Sequence, residues 1–149
     1  MLEDKLDKDI KSALLAGDSH KATTLRGLKA TLLNIKVATG KRDSGLDDNE
    51  VLSAFAKEAK KRQESADLYK QAGDDTRAKA ELDEKAMIEA YLPEAMSEED
   101  IAKVIDEVIK SLGADSPSQM GQVIGQVKAK LGAAADGSVI ARLTKEKLQ

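Results

Sequence analysis

Apolar residues recur at spacings of three and four positions almost from one end of the chain to the other. This spacing places side chains on one face of an α-helix, whereas a half-buried strand requires strict alternation. Good helix formers such as Ala, Leu, Lys and Glu are abundant, and the aromatic residues that favour sheets are limited to Phe55, Tyr69 and Tyr91. The sequence therefore predicts an all-α protein without a β-sheet.

Pro93 divides this helical pattern into two parts. Proline lacks a backbone N–H and crowds the preceding turn, so a helix should end before it, and Ser97 can cap the next one. We predict an N-terminal bundle of about four helices in residues 1–93 and a small C-terminal domain of three helices in residues 97–149. Three further helix starts are predicted at serines, namely Ser19, Ser116 and Ser138.

The composition excludes several kinds of chemistry. There is no Cys, so disulfides, thiolate catalysis and Cys-based zinc sites are excluded. Neither a Walker loop, nor a dinucleotide-binding glycine pattern, nor a Gly-x-Ser-x-Gly elbow is present. His20 is the one histidine, and an exposed helix-start residue is favoured over a general base or metal ligand. We predict no catalytic residue, no metal site and no cofactor.

The charge pattern limits the classes of partner. The formal net charge is −3, with 24 basic and 27 acidic residues interleaved, which argues against a DNA-binding protein. Any RNA contact must therefore depend on a local patch. No apolar run approaches the roughly 20 residues of a membrane span, and the segment Met1–Lys5 lacks the layout of a signal peptide. The expected location is the cytoplasm, away from membranes.

The densest local positive charge lies in the predicted third helix, where Lys57, Lys60 and Lys61 share a broad face. One interpretation is a patch that contacts phosphate groups. Glu64 lies four residues after Lys60, however, and helical neighbours of opposite charge at this spacing are typical of a solvated face. The pattern alone favours the solvated face.

Two carboxylates, Glu81 and Glu84, lie three residues apart and should share a face of the fourth helix. Paired carboxylates can perform acid–base catalysis if an apolar setting shifts the pKa of one of them. The favoured interpretation is a salt-bridge network between helices, with Arg26 or Arg62 as partner. We expect Arg26 to be partly buried and paired with one or both glutamates.

Two smaller patterns concern packing. The step Tyr91-Leu92-Pro93 places an aromatic ring just before a helix-ending proline, and packing as a wedge between the two domains is favoured over partner binding. Gly121 and Gly125 lie one helical turn apart, and we expect them to permit a close helix crossing.

Several stretches together resemble a known family. They are Thr24-Leu25-Arg26-Gly27-Leu28-Lys29-Ala30, Lys60-Lys61-Arg62-Gln63-Glu64-Ser65-Ala66, Ala72-Gly73, Glu81 with Glu84, Tyr91-Leu92-Pro93, and Met120-Gly121-x-Val123. In this order they cover nearly the whole chain, which resembles the GatB/YqeY family and specifically the short free-standing YqeY-like proteins.

This resemblance implies a tRNA-related role. In larger family members the region resembles the carboxy-terminal end of the GatB component of the tRNA-dependent amidotransferase, whose catalysis belongs to a separate domain. The family description of carbon–nitrogen ligase activity with glutamine as amido-N donor therefore supplies no catalytic residue here. The implied partners are tRNA or an aminoacyl-tRNA-related enzyme, and the implied nucleic-acid contacts are Lys57, Lys60, Lys61 and Arg62.

The sequence departs from the family pattern at two places. Gln119 stands where an acidic residue usually precedes Met120-Gly121, and residues 133–137 read Ala-Ala-Ala-Asp-Gly where the family usually has Gly-Arg-Ala-Asp-Gly. Loss of that arginine removes a potential phosphate contact from the C-terminal domain.

The sequence leaves three functions open. The first is a non-catalytic accessory protein that binds tRNA, and the second is a helical protein–protein interaction module without RNA binding. The third is an enzyme that uses the Glu81 and Glu84 pair. The sequence does not predict an oligomeric state.

Overall fold

The computed structural model describes residues 1–149 and contains seven α-helices and no β-strand. The helices are α1 (Leu2–Leu15), α2 (Ser19–Ala38), α3 (Asp48–Gln71), α4 (Asp75–Glu89), α5 (Glu98–Leu112), α6 (Met120–Leu131) and α7 (Gly137–Leu148). Short 3₁₀ turns at Pro117–Gln119 and Gly132–Ala134 precede α6 and α7. The all-α prediction is confirmed, with four helices in an N-terminal group and three in a C-terminal group.

The first compact unit, Met1–Leu92, contains α1 to α4. Helices α3 and α4 are joined by a short turn at residues 72–74 and pack along each other, and α2 packs against α1, α3 and α4. The core of this unit consists of buried apolar side chains from all four helices and the loop before α3: Leu6, Ile10, Leu25, Leu28, Leu32, Leu46, Val51, Ala54, Phe55, Ala59 and Ile88.

The second compact unit, Pro93–Gln149, contains α5 to α7, each packed against the other two. Its core is Ile101, Ile105, Val108, Ala114, Val123, Val127, Ile140, Leu143 and Leu148. The backbone N–H of Met96 donates to the carbonyl oxygen of Ala134 at 2.9 Å, which ties the start of the unit to the turn before α7.

Side-chain caps fix where the helices begin. The N-terminal N–H groups of a helix lack partners within it, and an Asp or Ser oxygen can accept from one of them. Asp47 and Glu50 form a reciprocal capping box at α3, and Ser97 caps α5 as predicted. At α2 and α7 the predicted serine caps are wrong, because Asp18 and Asp136, just before them, accept the capping bonds.

No helix has both the length and the apolar character needed to cross a membrane.

Candidate nucleic-acid interface

Lys57, Lys60 and Lys61 lie on α3 away from its core side, and we call these three residues the lysine face. All three lysines are exposed, because Val51, Phe55 and other apolar residues of α3 occupy the side turned towards the core. The Lys61 ammonium lies 3.1 Å from Glu58 Oε1 within the same helix. The Lys61 side chain is 67% exposed whereas that of Glu58 is 12% exposed, so the ammonium group is open to solvent while it contacts a largely covered carboxylate.

Arg62, the next residue, is turned away from the lysine face and towards α4. Its Nε lies 3.3 Å from Glu84 Oε2, and its Nη1 lies 3.6 Å from Glu81 Oε2. The Arg62 side chain is 35% exposed and those of Glu81 and Glu84 are 20% and 26% exposed. The salt-bridge interpretation of the two glutamates is thus confirmed, and Arg62 provides the cation.

A second polar contact between α3 and α4 follows directly. The Lys85 ammonium donates to Gln63 Oε1 at 2.9 Å, and Gln63 Nε2 donates to Asp67 Oδ1 at 2.9 Å. Lys85 also lies 3.3 Å from Glu89 Oε1. Within the stretch Lys60–Ala66, therefore, Arg62 and Gln63 hold α3 against α4, whereas Lys60 and Lys61 lie on the outside.

The expectation that Arg26 is partly buried is wrong. Leu25 and Leu28 occupy the core side of α2, and Arg26 lies about 100° around the helix from Leu25, so its side chain is exposed. There it lines an open groove between α1 and α2 together with Lys8 and Lys11. The two α1 lysines were not identified from the sequence, although their spacing of three residues on the outward side of α1 could have indicated them.

Tyr91 packs inside the first unit. Its ring makes an edge-to-face contact with Phe55, with ring centroids 5.4 Å apart, and the Lys5 ammonium lies 4.5 Å from its centroid. The Tyr91 hydroxyl donates to Asp9 Oδ2. The contacts of Tyr91 thus join the end of α4 to α1, and the neighbouring Leu92 packs against the same core.

The environment of this tyrosine shifts two pKa values. Donation from the Tyr91 hydroxyl, aided by Lys5, lowers the pKa of the Asp9 carboxyl. Burial, together with the bond to Asp9, raises the pKa of Tyr91. The sequence predicted that Tyr91 packs as a wedge between the two domains, whereas its contacts with Phe55, Lys5 and Asp9 all lie within the first unit.

In the second unit, the predicted close helix crossing at Gly121 and Gly125 is wrong. A Cβ atom at either position would meet no atom within 4 Å, so both glycines face open space on α6. The preceding Met120 is partly buried and packs against the second core. In the family motif Met120-Gly121, therefore, the methionine contacts the core and the glycine lies on the exposed surface of α6.

Gln119 provides a local explanation for one departure from the family pattern. Its Oε1 accepts hydrogen bonds from the backbone N–H groups of Asp115, at 2.9 Å, and Ser116, at 3.3 Å. A carboxylate oxygen at this position could accept the same two bonds. The amide therefore fulfils the acceptor role without the negative charge.

The candidate catalytic and metal-binding groups are surface or ion-paired residues. His20 is exposed in the first turn of α2, and no group of three or more His, Asp or Glu side chains is placed to hold a metal ion. Glu81 and Glu84 both contact the Arg62 guanidinium, which is a structural arrangement rather than an apolar setting for a general acid.

The chain is similar to known proteins along nearly its whole length. Residues 3–148 match the family model described as Yqey-like protein. The chain is 33% identical over 127 residues to altered inheritance of mitochondria protein 41, mitochondrial, of Kluyveromyces lactis, covering 82% of this chain and 66% of that protein. It is 37% identical over 97 residues to the protein of the same name from Eremothecium gossypii, covering 63% of this chain and 52% of that protein. The matched regions thus span from about half to just under two thirds of these relatives.

Proposed function

Because this chain belongs to the YqeY-like protein family, we propose that it is a non-catalytic accessory protein that binds tRNA through the lysine face of α3. The observation that carries the proposal is the outward placement of Lys57, Lys60 and Lys61 on a helix whose position is fixed by other residues. Arg62 and Gln63 contact α4, so the neighbouring lysines are presented on a well-packed helix.

The binding would depend on phosphate contacts rather than on base recognition. Lysine ammonium groups that neutralise phosphates release condensed counterions, and this release makes affinity fall steeply with salt. The formal net charge of −3 opposes the approach of RNA. We therefore expect a modest affinity that arises from the lysine face and not from the charge of the whole molecule. Acid–base catalysis by Glu81 and Glu84 is not part of the proposal, because both carboxylates contact Arg62.

The test is the salt dependence of tRNA binding. We expect the triple variant Lys57→Gln, Lys60→Gln, Lys61→Gln to flatten the log–log salt slope by roughly two to three units, at about 0.7 to 0.9 per lost contact. Fluorescence anisotropy of labelled tRNA over a potassium chloride series measures this slope. Circular dichroism should show unchanged helix content in the variant.

A matched control removes the same charge from exposed positions elsewhere. Lys70→Gln, Lys79→Gln and Lys110→Gln together lower the net charge equally, and all three residues are exposed. This control should keep the wild-type slope apart from a small general effect. Equal slopes in both triple variants would remove the lysine face from the proposal, and absence of wild-type binding at low salt would refute tRNA binding.

A second candidate function is supported by apolar side chains on α2. Leu33 and Val37 are 48% and 59% exposed and lie four residues apart on one face. Exposed apolar neighbours favour a protein–protein contact, whose affinity would respond weakly to salt. A partner that is retained at high salt by the wild type and lost on Leu33→Ser, Val37→Ser would favour this function.

The cytoplasmic location expected from the sequence stays a prediction, since both fungal relatives are named as mitochondrial proteins.

A further inference from the structure

The longest stretch of the chain without a carboxylate includes the whole of α2. Residues 19–42 contain no Asp or Glu, in a chain that has 27 of them. The same stretch carries six cations, Lys21, Arg26, Lys29, Lys36, Lys41 and Arg42. Three of these have carboxylate partners on other elements: Lys29 pairs with Asp7, Lys36 with Glu3 and Lys41 with Glu50. Arg26 has no such partner.

Arg26 borders a groove that is also bordered by two cations of α1. The groove has a volume of about 650 Å³ and is bordered by Lys8 and Lys11 from α1 and by Arg26 and Lys29 from α2. Its base is formed by Ile10, which is 8% exposed. We call Lys8, Lys11 and Arg26 the basic groove.

The charges in this groove are not balanced. Asp4 and Asp7 also border it, but Asp7 is already engaged by the Lys29 ammonium at 2.6 Å. Lys8, Lys11 and Arg26 form no ion pair, so three like charges border one depression with Asp4 as the remaining carboxylate. An anion bound between them would relieve their mutual repulsion.

The surface of the groove suits a phosphate backbone better than a protein segment. Protein interfaces depend on apolar or aromatic anchors that fill a pocket, and the one apolar residue that borders this groove is the almost fully buried Ile10. The remaining apolar surface of the groove belongs to the hydrocarbon stems of its charged side chains. Arginine forms paired hydrogen bonds with phosphate oxygens, and lysine acts as a mobile point charge beside them. The exposed Leu33 and Val37 do not line the groove.

We propose that the basic groove is a second site for RNA backbone phosphates, separate from the lysine face of α3. This inference rests on the proposed function, because it assigns a second contact to the same RNA. It predicts that the first unit holds tRNA at two places, one bordered by α1 and α2 and the other on α3.

The test compares three triple variants of the full chain with labelled tRNA as the probe. Lys8→Gln, Lys11→Gln, Arg26→Gln should flatten the log–log salt slope by roughly two to three units, as should the lysine-face variant. Combining both triplets should flatten the slope by the sum of the two effects. The charge-matched variant of Lys70, Lys79 and Lys110 should stay close to wild type.

Two outcomes separate the two proposals. If the lysine-face variant flattens the slope and the basic-groove variant behaves like the charge-matched control, the groove proposal is overturned and the proposed function stands. If the wild type fails to bind tRNA at low salt, both are overturned.

Two further measurements serve as controls. The single variant Arg26→Lys retains the charge and should retain the slope, and circular dichroism should show that all variants keep their helix content. Polyglutamate serves as a competitor that is negatively charged, as tRNA is, but contains no phosphate group. In the lysine-face variant, the groove is the remaining proposed site for tRNA. If polyglutamate displaces tRNA from this variant as well as unlabelled tRNA does at the same concentration of negative charges, the assignment to phosphate is overturned and an acidic protein partner is indicated.

Discussion

Arg26 and Arg62 both lie in stretches that resemble the family pattern, yet their environments differ. Arg62 is largely covered between α3 and α4 and contacts two glutamates, whereas Arg26 is exposed on α2 beside cations. At residue level, therefore, Arg62 is placed to stabilise the fold, whereas Arg26 borders the groove that we propose binds phosphate. The sequence could not distinguish them, because the carboxylates that hold Arg62 lie on the following helix and either arginine could have faced them.

This difference predicts that substitution of Arg62 costs more stability than substitution of Arg26. Arg62→Ala leaves Glu81 and Glu84 without their shared cation, and the cost should lie between those of exposed and buried pairs, at about 1–3 kcal/mol. Arg26→Ala removes no ion pair and should change the free energy of unfolding by less than about 0.5 kcal/mol. Urea denaturation followed by circular dichroism measures both, and equal losses would contradict the assignment.

The contact between Tyr91 and Asp9 predicts a dependence of stability on pH. The pKa of Asp9 is lowered in the folded protein, chiefly by the Tyr91 hydroxyl. A lowered carboxyl pKa stabilises the fold above the unfolded-state pKa of about 3.9, and this contribution is lost as the pH falls through the folded-state pKa. Tyr91→Phe should therefore cost about 1 kcal/mol at pH 7 and clearly less near pH 2.

Urea denaturation of wild type and Tyr91→Phe at the two pH values tests this expectation. Asp9→Asn provides the control, because it removes the titrating group while keeping a side chain that can accept from the hydroxyl. If the stability difference between wild type and Tyr91→Phe is the same at both pH values, the contact does not carry the effect.

At the level of the helices, periodicity predicted the elements well and their ends less well. Apolar spacing identified all seven helices, because each one buries one side in a core. The caps of α2 and α7 were assigned to Ser19 and Ser138, but Asp18 and Asp136 accept the bonds. Asp and Ser are nearly equivalent as caps, so a pattern that contains both within one or two positions cannot select between them.

Two glycines, one within a helix and one at the end of a helix, allow a test of how glycine affects helix stability. Gly125 lies inside α6 with open space around its Cα, so Gly125→Ala should stabilise the protein by about 0.5–1 kcal/mol through the lower entropy of the unfolded chain. Gly113 ends α5 with φ of +62°, a region that disfavours Cβ, so Gly113→Ala should destabilise by about 1 kcal/mol. Thermal unfolding of both variants measures the signs, and a loss of stability in Gly125→Ala would show that this surface of α6 is covered.

For the whole molecule, the sequence predicted the features of single helices more fully than the contacts between helices. The outward placement of the lysine face followed from the pattern of α3 alone. The basic groove required knowing that α1 and α2 lie side by side, and the Asp9 partner of Tyr91 lies 82 residues earlier in the sequence. Likewise, Gly121 and Gly125 have the spacing of a helix crossing, but whether another helix approaches is a property of the tertiary fold.

The separation of the two cores leads to a last prediction. The buried residues from Leu6 to Ile88 form one cluster and those from Ile101 to Leu148 form another, so each unit contains a core of its own. A fragment of residues 1–96 should therefore unfold cooperatively, with a helix content per residue close to that of the intact chain. A fragment of residues 93–149 should be the less stable of the two, because a domain of about 60 residues buries only about 60% of the surface that its unfolded chain exposes. Thermal unfolding of the two fragments and the intact protein, followed by circular dichroism, measures these differences. An unfolded 1–96 fragment would show that its core depends on the remainder of the chain, and the independence of the first unit would be refuted.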